Sequence, residues 1–199
     1  FIACESDDTA DIIINDNSVT NITNNAGGDP DSGSNTVNLS GVYTEDLELD
    51  PSIEYMITGP VLMADGTTLR IPAGMTIKAQ PVGVNAFIAI QQGAQIDAVG
   101  TSSNPIVLTS NASSPSSGDW GGLVMCGRAS INSTPDGSTD TATSEVGGLS
   151  YGGHVDADNS GTVSYVRIEY AGGAIDGNAE LNGLSVSAVG SGTTIDYVQ

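Results

Sequence analysis

The chain has 199 residues, enough for one domain of ordinary size with a tail. Its net charge of −20 comes from 24 acidic residues against four basic ones, Arg70, Lys78, Arg128 and Arg167. Phosphate backbones repel a surface this acidic, which argues against nucleic-acid binding. No apolar run approaches the roughly 20 residues that a membrane-spanning helix needs, so any membrane attachment has to use a lipid or a partner.

The chain opens with FIACESDD, an apolar tripeptide followed by a cysteine and a run of acids. Phe1–Ala3 and Cys4 resemble the end of a bacterial lipoprotein signal peptide, in which a small residue precedes the cysteine that receives the lipid. The acidic stretch after the cysteine resembles the export tag that sends Bacteroidota lipoproteins to the outer face of the outer membrane. The tag residues are Glu5, Ser6, Asp7 and Asp8. We therefore expect residues 1–4 to be the remnant of a lipoprotein signal, and the protein to be secreted if Cys4 carries no lipid.

Residues 5–34 are rich in Asn, Asp, Thr, Ser and Gly, and the short DIIIND stretch is their one apolar island. Low hydrophobicity combined with uncompensated charge leaves too little apolar surface to offset the entropy of ordering. The segment is therefore predicted to be a flexible acidic linker. It would hold the following domain away from the membrane.

From about residue 35 the sequence changes to short β-branched runs separated by Gly, Pro and Asp, without amphipathic helical periodicity. Gly66 and Gly93 open two similar runs at an offset of 27 residues, within the range of stacked solenoid repeats. Alternation within the runs predicts that some side chains point into the coil and others out of it. The inward set is Leu69, Ile71, Ile96, Ala98, Ile195 and Tyr197, and the outward set is Arg70, Asp97, Arg167, Glu169 and Asp196. An antiparallel sandwich is the structural alternative.

Four phrases carry a family resemblance: ITGPVLMADGTTLRIPAGMTIKA, DWGGLVMCGRASIN, DNSGTVSYVRIEYAGG and ELNGLSVSAVGSGTTIDYVQ. They resemble secreted or surface proteins of Bacteroidota that fold as right-handed parallel β-helices, and the resemblance runs from residue 40 to residue 199. It implies an all-β solenoid domain over residues 35–199. Because members of this family continue with further coils, we expect the chain to be truncated at its C-terminal end.

Some parallel β-helices are polysaccharide lyases or hydrolases, so an enzyme has to be considered. Lyases of this shape need Ca²⁺ and a basic residue that removes a proton, and hydrolases need two carboxylates at a catalytic separation. Arg167 and Glu169 lie two residues apart on one run, where a surface salt bridge is the simpler interpretation. No other run combines a basic group with neighbouring acids. No catalytic residue is therefore predicted.

The stretch HVDADNSG (154–161) is the best candidate for a metal site. Asp156, Asp158 and Ser160 alternate ahead of a glycine, as ligands do in the first half of an EF-hand loop, and they are candidate Ca²⁺ ligands. The twelfth position holds Arg167 instead of glutamate, so the stretch is not an EF-hand. His154 is the single histidine, which excludes a histidine-rich zinc site and favours a structural role.

Two other residues and one short motif have candidate roles. Trp120 is a candidate sugar contact, with filling of a coil corner as the alternative. Cys126 lies between Met125 and Gly127 and reads as a small core residue without a nearby base. The tripeptide DTA at 8–10 and 140–142 is similar to the O-glycosylation motif of Bacteroidota.

Taken together, these features predict a non-enzymatic surface lipoprotein that serves as an adhesion, glycan-contact or structural module on the outer membrane. One alternative is a polysaccharide-active β-helix whose catalytic coils lie partly beyond Gln199. Another is a subunit of a larger surface complex that docks through an open coil edge. Glycans or surface proteins are the expected partners. Ca²⁺ is the one cofactor that the sequence raises.

Overall fold

The structure, a computed structural model, describes residues 36–132, 140–145, 148–174 and 180–199. Every regular element within these ranges is a β-strand, and no helix there has the length and hydropathy of a membrane span. The strands are β1 (Thr36–Tyr43), β2 (Leu47–Glu48), β3 (Glu54–Met63), β4 (Thr68–Ile71), β5 (Thr76–Ala79), β6 (Gly83–Ile90), β7 (Gln95–Val99), β8 (Ile106–Ser110), β9 (Trp120–Cys126), β10 (Thr141–Thr143), β11 (Ser150–Gly152), β12 (Gly161–Ser164), β13 (Val166–Ile168), β14 (Gly173–Ala174), β15 (Glu180–Leu181), β16 (Leu184–Ser187) and β17 (Thr194–Asp196).

The chain winds through three parallel faces, A, B and C. Face C has the strand order β17-β12-β7-β4-β2. Faces A and B meet along β3, because Met56 and Ile57 pair with β5 whereas Pro60–Met63 pair with β6. Face A thus contains β5, β8 and β13, face B contains β6, β9 and β16, and β1 and β3 contribute to both. Successive passes through the three faces stack on one another, which is a parallel β-helix.

The stacking register agrees with the repeat that the sequence predicts. Leu69 pairs with Ile96 at the same offset that separates Gly66 from Gly93. At the corner before these strands, the amide of Gly66 donates a hydrogen bond to the carbonyl oxygen of Gly93 at 3.0 Å. All strand pairs within the three faces are parallel. An antiparallel sandwich is therefore excluded.

Inward side chains from the three faces form a continuous apolar core. Leu69, Ile71, Ile96 and Ala98 are each at most 2% exposed, which confirms the predicted inward set on β4 and β7. Small and β-branched side chains fill the narrow interior between the stacked strands. Full burial of one such aliphatic side chain contributes about 1.5–3 kcal/mol to the hydrophobic stabilisation. Stability therefore depends on rows of equivalent residues from coil to coil.

One glycine sets how closely two coils of face C can approach. Gly161 begins β12 and has a φ of 103°, a backbone conformation that other residues rarely adopt. A Cβ atom at this position would lie 2.0 Å from the carbonyl oxygen of Ile96, which pairs with Gly161 across the coils. Only glycine therefore fits at the start of β12 without moving the backbone of the preceding coil.

The predicted inward orientation does not hold on the last strand, β17. Ile195 occupies the same position as the buried Val163, yet it is 37% exposed because β17 is the edge strand of face C. Tyr197 is 68% exposed and has a φ of 49°, so it leaves the alternation of the strand. Its ring stacks on Tyr165, with the ring centroids 4.3 Å apart. The left-handed backbone of Tyr197 explains why its side chain turns away from the core.

Candidate functional site

The described residues between β9 and β12, namely 127–132, 140–145 and 148–160, are called the insert; they follow the coil strand β9 and precede the coil strand β12. The amide of Gly152 donates to the carbonyl oxygen of Gly127 at 2.9 Å, which brings the two ends of the hairpin region together. Gln92 holds this junction, because its side-chain amide donates to the carbonyl oxygens of Gly127 and Gly152 at 3.0 and 2.6 Å. The hairpin β10–β11, with Thr143 paired to Ser150, extends from this root.

A second apolar cluster lies between the outer side of face B and the segments that cover it. Phe87, Ala89, Val124 and Cys126 are contributed by β6 and β9. Two covering residues, Leu149 of the insert and Leu181 of β15, complete the buried cluster. Burial raises the pKa of the Cys126 thiol to about 11. Its thiolate is therefore scarce at neutral pH, and the cysteine is a core residue, as the sequence predicts.

The outer side of face B changes from apolar to polar in the last coil. Leu62, Ala89 and Val124 follow one another in register from β3 to β9. The next position in this row is Ser185 of β16, and Ser187 lies beside Cys126 in the same way. Leu149 of the insert and Leu181 of β15 cover the apolar part of the row, whereas the two serines line a recess. This recess is the candidate functional site.

The recess is a cleft of about 350 Å³ between the hairpin, β15 and β16. Its volume falls within the usual range of small-molecule sites, roughly 300–1,000 Å³. The residues that line it are Val124, Thr143, Ser144, Glu145, Tyr151, Glu180, Leu181, Asn182, Leu184, Ser185, Val186 and Ser187. The cleft thus combines hydroxyls, one side-chain amide, two carboxylates and one tyrosine.

Two hydrogen bonds order the polar wall of the cleft. The backbone amide of Glu180 donates to Oε2 of Glu145 at 2.8 Å, which ties the hairpin to β15. The backbone amide of Asn182 donates to Oγ of Ser185 at 3.4 Å. Tyr151 packs its partly buried side chain against the second apolar cluster. The tyrosine is thereby fixed by packing, whereas the carboxylates are presented at the exposed rim.

No basic side chain occurs among the described residues that line the cleft. Arg70 pairs with Asp46 at 2.7 Å on face C, and Arg128 pairs with Asp65 at 2.9 Å at the corner between faces B and C. Arg167 is also outside the cleft. The ionisable groups that border the cleft are therefore acidic or phenolic.

The predicted surface salt bridge on β13 is confirmed. Nη2 of Arg167 contacts Oε1 of Glu169, and Oε2 of Glu169 accepts a hydrogen bond from the hydroxyl of Thr109 at 3.1 Å. His154 is exposed, and its Nε2 lies 2.9 Å from Oδ1 of Asp140. Both pairs lie outside the cleft lining. His154 and Asp140 join the segment after β11 to the start of the hairpin, whereas Arg167 and Glu169 belong to one stretch of chain.

The candidate Ca²⁺ ligands have backbone partners in the insert. Asp156 Oδ1 accepts a hydrogen bond from the amide of Ser130 at 3.0 Å, and Asp158 Oδ2 accepts one from the amide of Arg128 at 2.9 Å. Ser160 is 2% exposed. No group of three or more His, Cys, Asp or Glu residues in the described ranges is placed to hold a metal ion. The two aspartates fasten the start of the insert to its end.

Trp120 is fully buried, and its indole nitrogen donates to the carbonyl oxygen of Glu169 at 2.9 Å. Its ring therefore offers no face to a sugar in this structure, and the tryptophan fills the coil interior. Of the two DTA tripeptides, only residues 140–142 are described, and Thr141 there is exposed at the start of β10. Cys4, its tag residues and the remainder of the predicted linker lie outside the described residues.

The sequence does not predict the cleft. Glu145 and Tyr151 lie far along the chain from Ser185, and the three residues line one cleft only because the hairpin region folds over β16. The one sequence feature that marks this region is an interruption of the repeat: strand alternation ends after β9, and a long polar segment precedes β12. Long irregular insertions on a regular scaffold often carry binding residues.

A comparison with known protein families assigns the coil. Residues 41–199 match a family model described as a pectate-lyase like beta helix domain. The matched range contains strands β2 to β17 and therefore both walls of the cleft. No curated protein and no solved structure matches the chain.

Proposed function

Since the chain belongs to the family of pectate-lyase-like β-helix domains, we propose that it is a non-enzymatic module that contacts a glycan and is displayed on the cell surface. The observation that carries the proposal is the lining of the cleft, which combines Tyr151 with Glu145, Asn182 and Ser185. Tyrosine rings provide rigid amphipathic contact area, and carboxylates, amides and hydroxyls exchange hydrogen bonds with sugar hydroxyls. The other polar groups in the lining extend the same chemistry.

The basic-residue distribution supports binding over eliminative cleavage. A lyase needs a group that takes the proton next to a uronate carboxylate, within hydrogen-bond reach of it. Among the described residues, the cleft provides no lysine, arginine or histidine for this purpose. Cys126, the one described cysteine beneath it, is buried with a raised pKa. Elimination through a basic side chain, which a lyase of this shape uses, therefore has no support in the described lining.

Hydrolysis is the second candidate, and one observation favours it. Glu145 and Glu180 border the same cleft, and paired carboxylates carry most glycoside hydrolysis. The amide of Glu180 already occupies one oxygen of Glu145. If the cleft is a hydrolase site, soluble reducing ends should accumulate with time, and Glu145→Gln should abolish their release.

The test of glycan contact is binding to an array of immobilised polysaccharides. Tyr151→Ala should reduce binding to any bound polymer by about tenfold or more, which corresponds to the loss of one aromatic contact. Tyr170→Ala removes a 43% exposed tyrosine outside the cleft and serves as the matched control. Retained binding in Tyr151→Ala, or release of soluble sugar by the wild type, would contradict the proposal.

Surface display is the second part of the proposal, and it depends on the opening residues. Lipid attached at Cys4 would anchor the protein, and Glu5–Asp8 would direct it to the outer face of the outer membrane in a Bacteroidota host. Two or more acyl chains give stable anchoring where one gives only marginal binding. In such a host, Cys4→Ser should move the protein from the membrane fraction to the soluble fraction. Replacement of Glu5, Asp7 and Asp8 by Ala should retain the lipid but remove access to external protease.

A further inference from the structure

We infer that the cleft takes a neutral, hydroxyl-rich sugar and rejects uronates, an inference that rests on the proposed glycan contact. Glu145 and Glu180 border the cleft, and no cation among the described lining residues offsets them. The whole chain carries a net charge of −20, so the wider surface adds to the same negative field. A uronate carboxylate would therefore enter against like charge, both at long range and in contact.

Each basic side chain of the protein either forms an ion pair with an acidic residue or lies on another face of the coil. Three arginines have acidic partners within the described residues, namely Asp46 for Arg70, Asp65 for Arg128 and Glu169 for Arg167. Lys78 lies on β5 of face A, whereas β16 at the floor of the cleft belongs to face B. Recognition of a carboxylate by proteins usually uses a guanidinium or an ammonium group. Neither group occurs among the described residues that line the cleft.

The hydrogen-bonding groups of the cleft match hydroxyls better than carboxylates. A carboxylate ligand only accepts hydrogen bonds. Ionised Glu145 and Glu180 also only accept, so they cannot form hydrogen bonds with such a ligand. A sugar hydroxyl both donates and accepts, so it satisfies the two glutamates as well as the side-chain amide of Asn182 and the hydroxyls of Ser185 and Ser187. Bonds from hydroxyls to ionised carboxylates are among the stronger hydrogen bonds. The lining thus favours the binding of neutral hydroxyl groups and disfavours the binding of acidic groups.

The floor shows why this chemistry is confined to one coil. Ala89 and Val124 occupy the two preceding positions of the row that continues with Ser185, and both are buried beneath Leu149 and Leu181. The covering segments therefore seal the apolar part of face B and leave the serine-bearing coil open. A ligand bound there would contact β16 below, Tyr151 and Glu145 on one side, and β15 on the other.

The experiment compares two forms of one polymer that differ only in charge. Polygalacturonate and the same polymer after reduction of its carboxyl groups to primary alcohols are titrated, together with a panel of neutral galactan, mannan, xylan and glucan. We expect Tyr151-dependent binding to at least one neutral polymer. We expect polygalacturonate to bind at least about tenfold more weakly than its reduced form at low salt, with a smaller gap in high salt because screening weakens the repulsion.

Two variants with the same change in net charge test whether the repulsion is local. Glu180→Gln should reduce the difference in affinity between polygalacturonate and its reduced form, because it removes a carboxylate from the cleft. Glu48→Gln, an exposed acid on face C, should leave the difference unchanged. A narrowing of equal size in both variants would mean that overall charge, and not the cleft, excludes uronates, and it would overturn the inference.

The remaining outcomes separate the inference from the proposed function. If both forms of the polymer bind equally well and Tyr151→Ala abolishes both, the glycan contact stands and the selectivity for neutral sugars is wrong. If no polymer binds, or if binding is indifferent to Tyr151→Ala, the glycan contact in the cleft fails and the inference fails with it.

Discussion

The coil and the insert are built by different rules. In the coil, each strand repeats the position of the strand beneath it, and inward residues such as Leu69 and Ile96 form rows that a short apolar pattern is enough to specify. In the insert, the described residues form a single two-stranded hairpin that depends on individual hydrogen bonds at its root, foremost those of Gln92. The coil therefore supplies stability through repetition, and the insert supplies a surface that occurs once.

This difference determines where chemistry is concentrated. The faces of the coil present outward side chains in flat rows, whereas the hairpin encloses a volume against β16. A concave site buries more of a ligand than a flat face does, and it brings groups from several directions to one point.

The largest effect is expected in the coil. Ile96→Ala should lower the free energy of unfolding by about 2–5 kcal/mol, because it removes a side chain that is 1% exposed from the middle of a stacked row. Urea unfolding followed by far-ultraviolet circular dichroism measures the change. Val99→Ala lies on the same strand at 46% exposure and should stay within about 0.5 kcal/mol of the wild type. Equal losses in the two variants would contradict the row-based account of stability.

The same contrast explains how far the sequence can be interpreted. Gly66 and Gly93, with the alternation in the runs that follow them, correctly predict the fold class, the register and the inward residues of two strands. These features arise from local patterns that each coil repeats. The orientation of Tyr197 is not predicted, because a left-handed φ at a tyrosine carries no sequence signature.

The cleft was unpredictable for a related reason. Glu145 and Tyr151 belong to the hairpin, whose position over Ser185 depends on where Gln92 fastens the root. A glutamine that donates to two backbone carbonyls is indistinguishable in the sequence from a solvated surface glutamine. The backbone partners of Asp156 and Asp158 are likewise not evident from the sequence, where the two residues alternate as Ca²⁺ ligands do.

A smaller and local effect is expected at the root of the insert. Gln92→Leu removes both hydrogen bonds to Gly127 and Gly152 and leaves two carbonyl oxygens without this partner, at a cost of about 1–3 kcal/mol. Because the coil does not depend on these bonds, amide hydrogen exchange should accelerate in β10 and β11 while β4 and β7 keep their protection. Gln80→Leu, at an exposed corner of the coil, is the control. Uniform acceleration across all strands would show that the insert and the coil unfold as one unit.

The smallest expected effect is on stability at acidic pH, and it distinguishes the coil from the insert through one aspartate in each. In the loop before β9, hydrogen bonds from the hydroxyl of Ser110 and from the amide and hydroxyl of Ser116 hold the pKa of Asp119 below its ordinary value. In the insert, the amide of Ser130 does the same for the pKa of Asp156. A carboxylate whose pKa is lower in the folded state stabilises that state above its unfolded pKa of 3.8, and the contribution is lost as the pH falls through the folded pKa.

Stability should therefore fall below about pH 4 for both aspartates, but in different parts of the molecule. Asp119→Asn should flatten the acid limb of global unfolding below about pH 4, because the loop is part of the coil. Asp156→Asn should flatten only the acid dependence of hydrogen exchange in the hairpin, since its partner Ser130 lies in the insert. Asp97→Asn removes an exposed carboxylate from face C and matches both variants in net charge. If Asp156→Asn changed the global acid limb as much as Asp119→Asn does, the insert would be an integral part of the coil's cooperative unit, and the separation of scaffold from site would have to be abandoned.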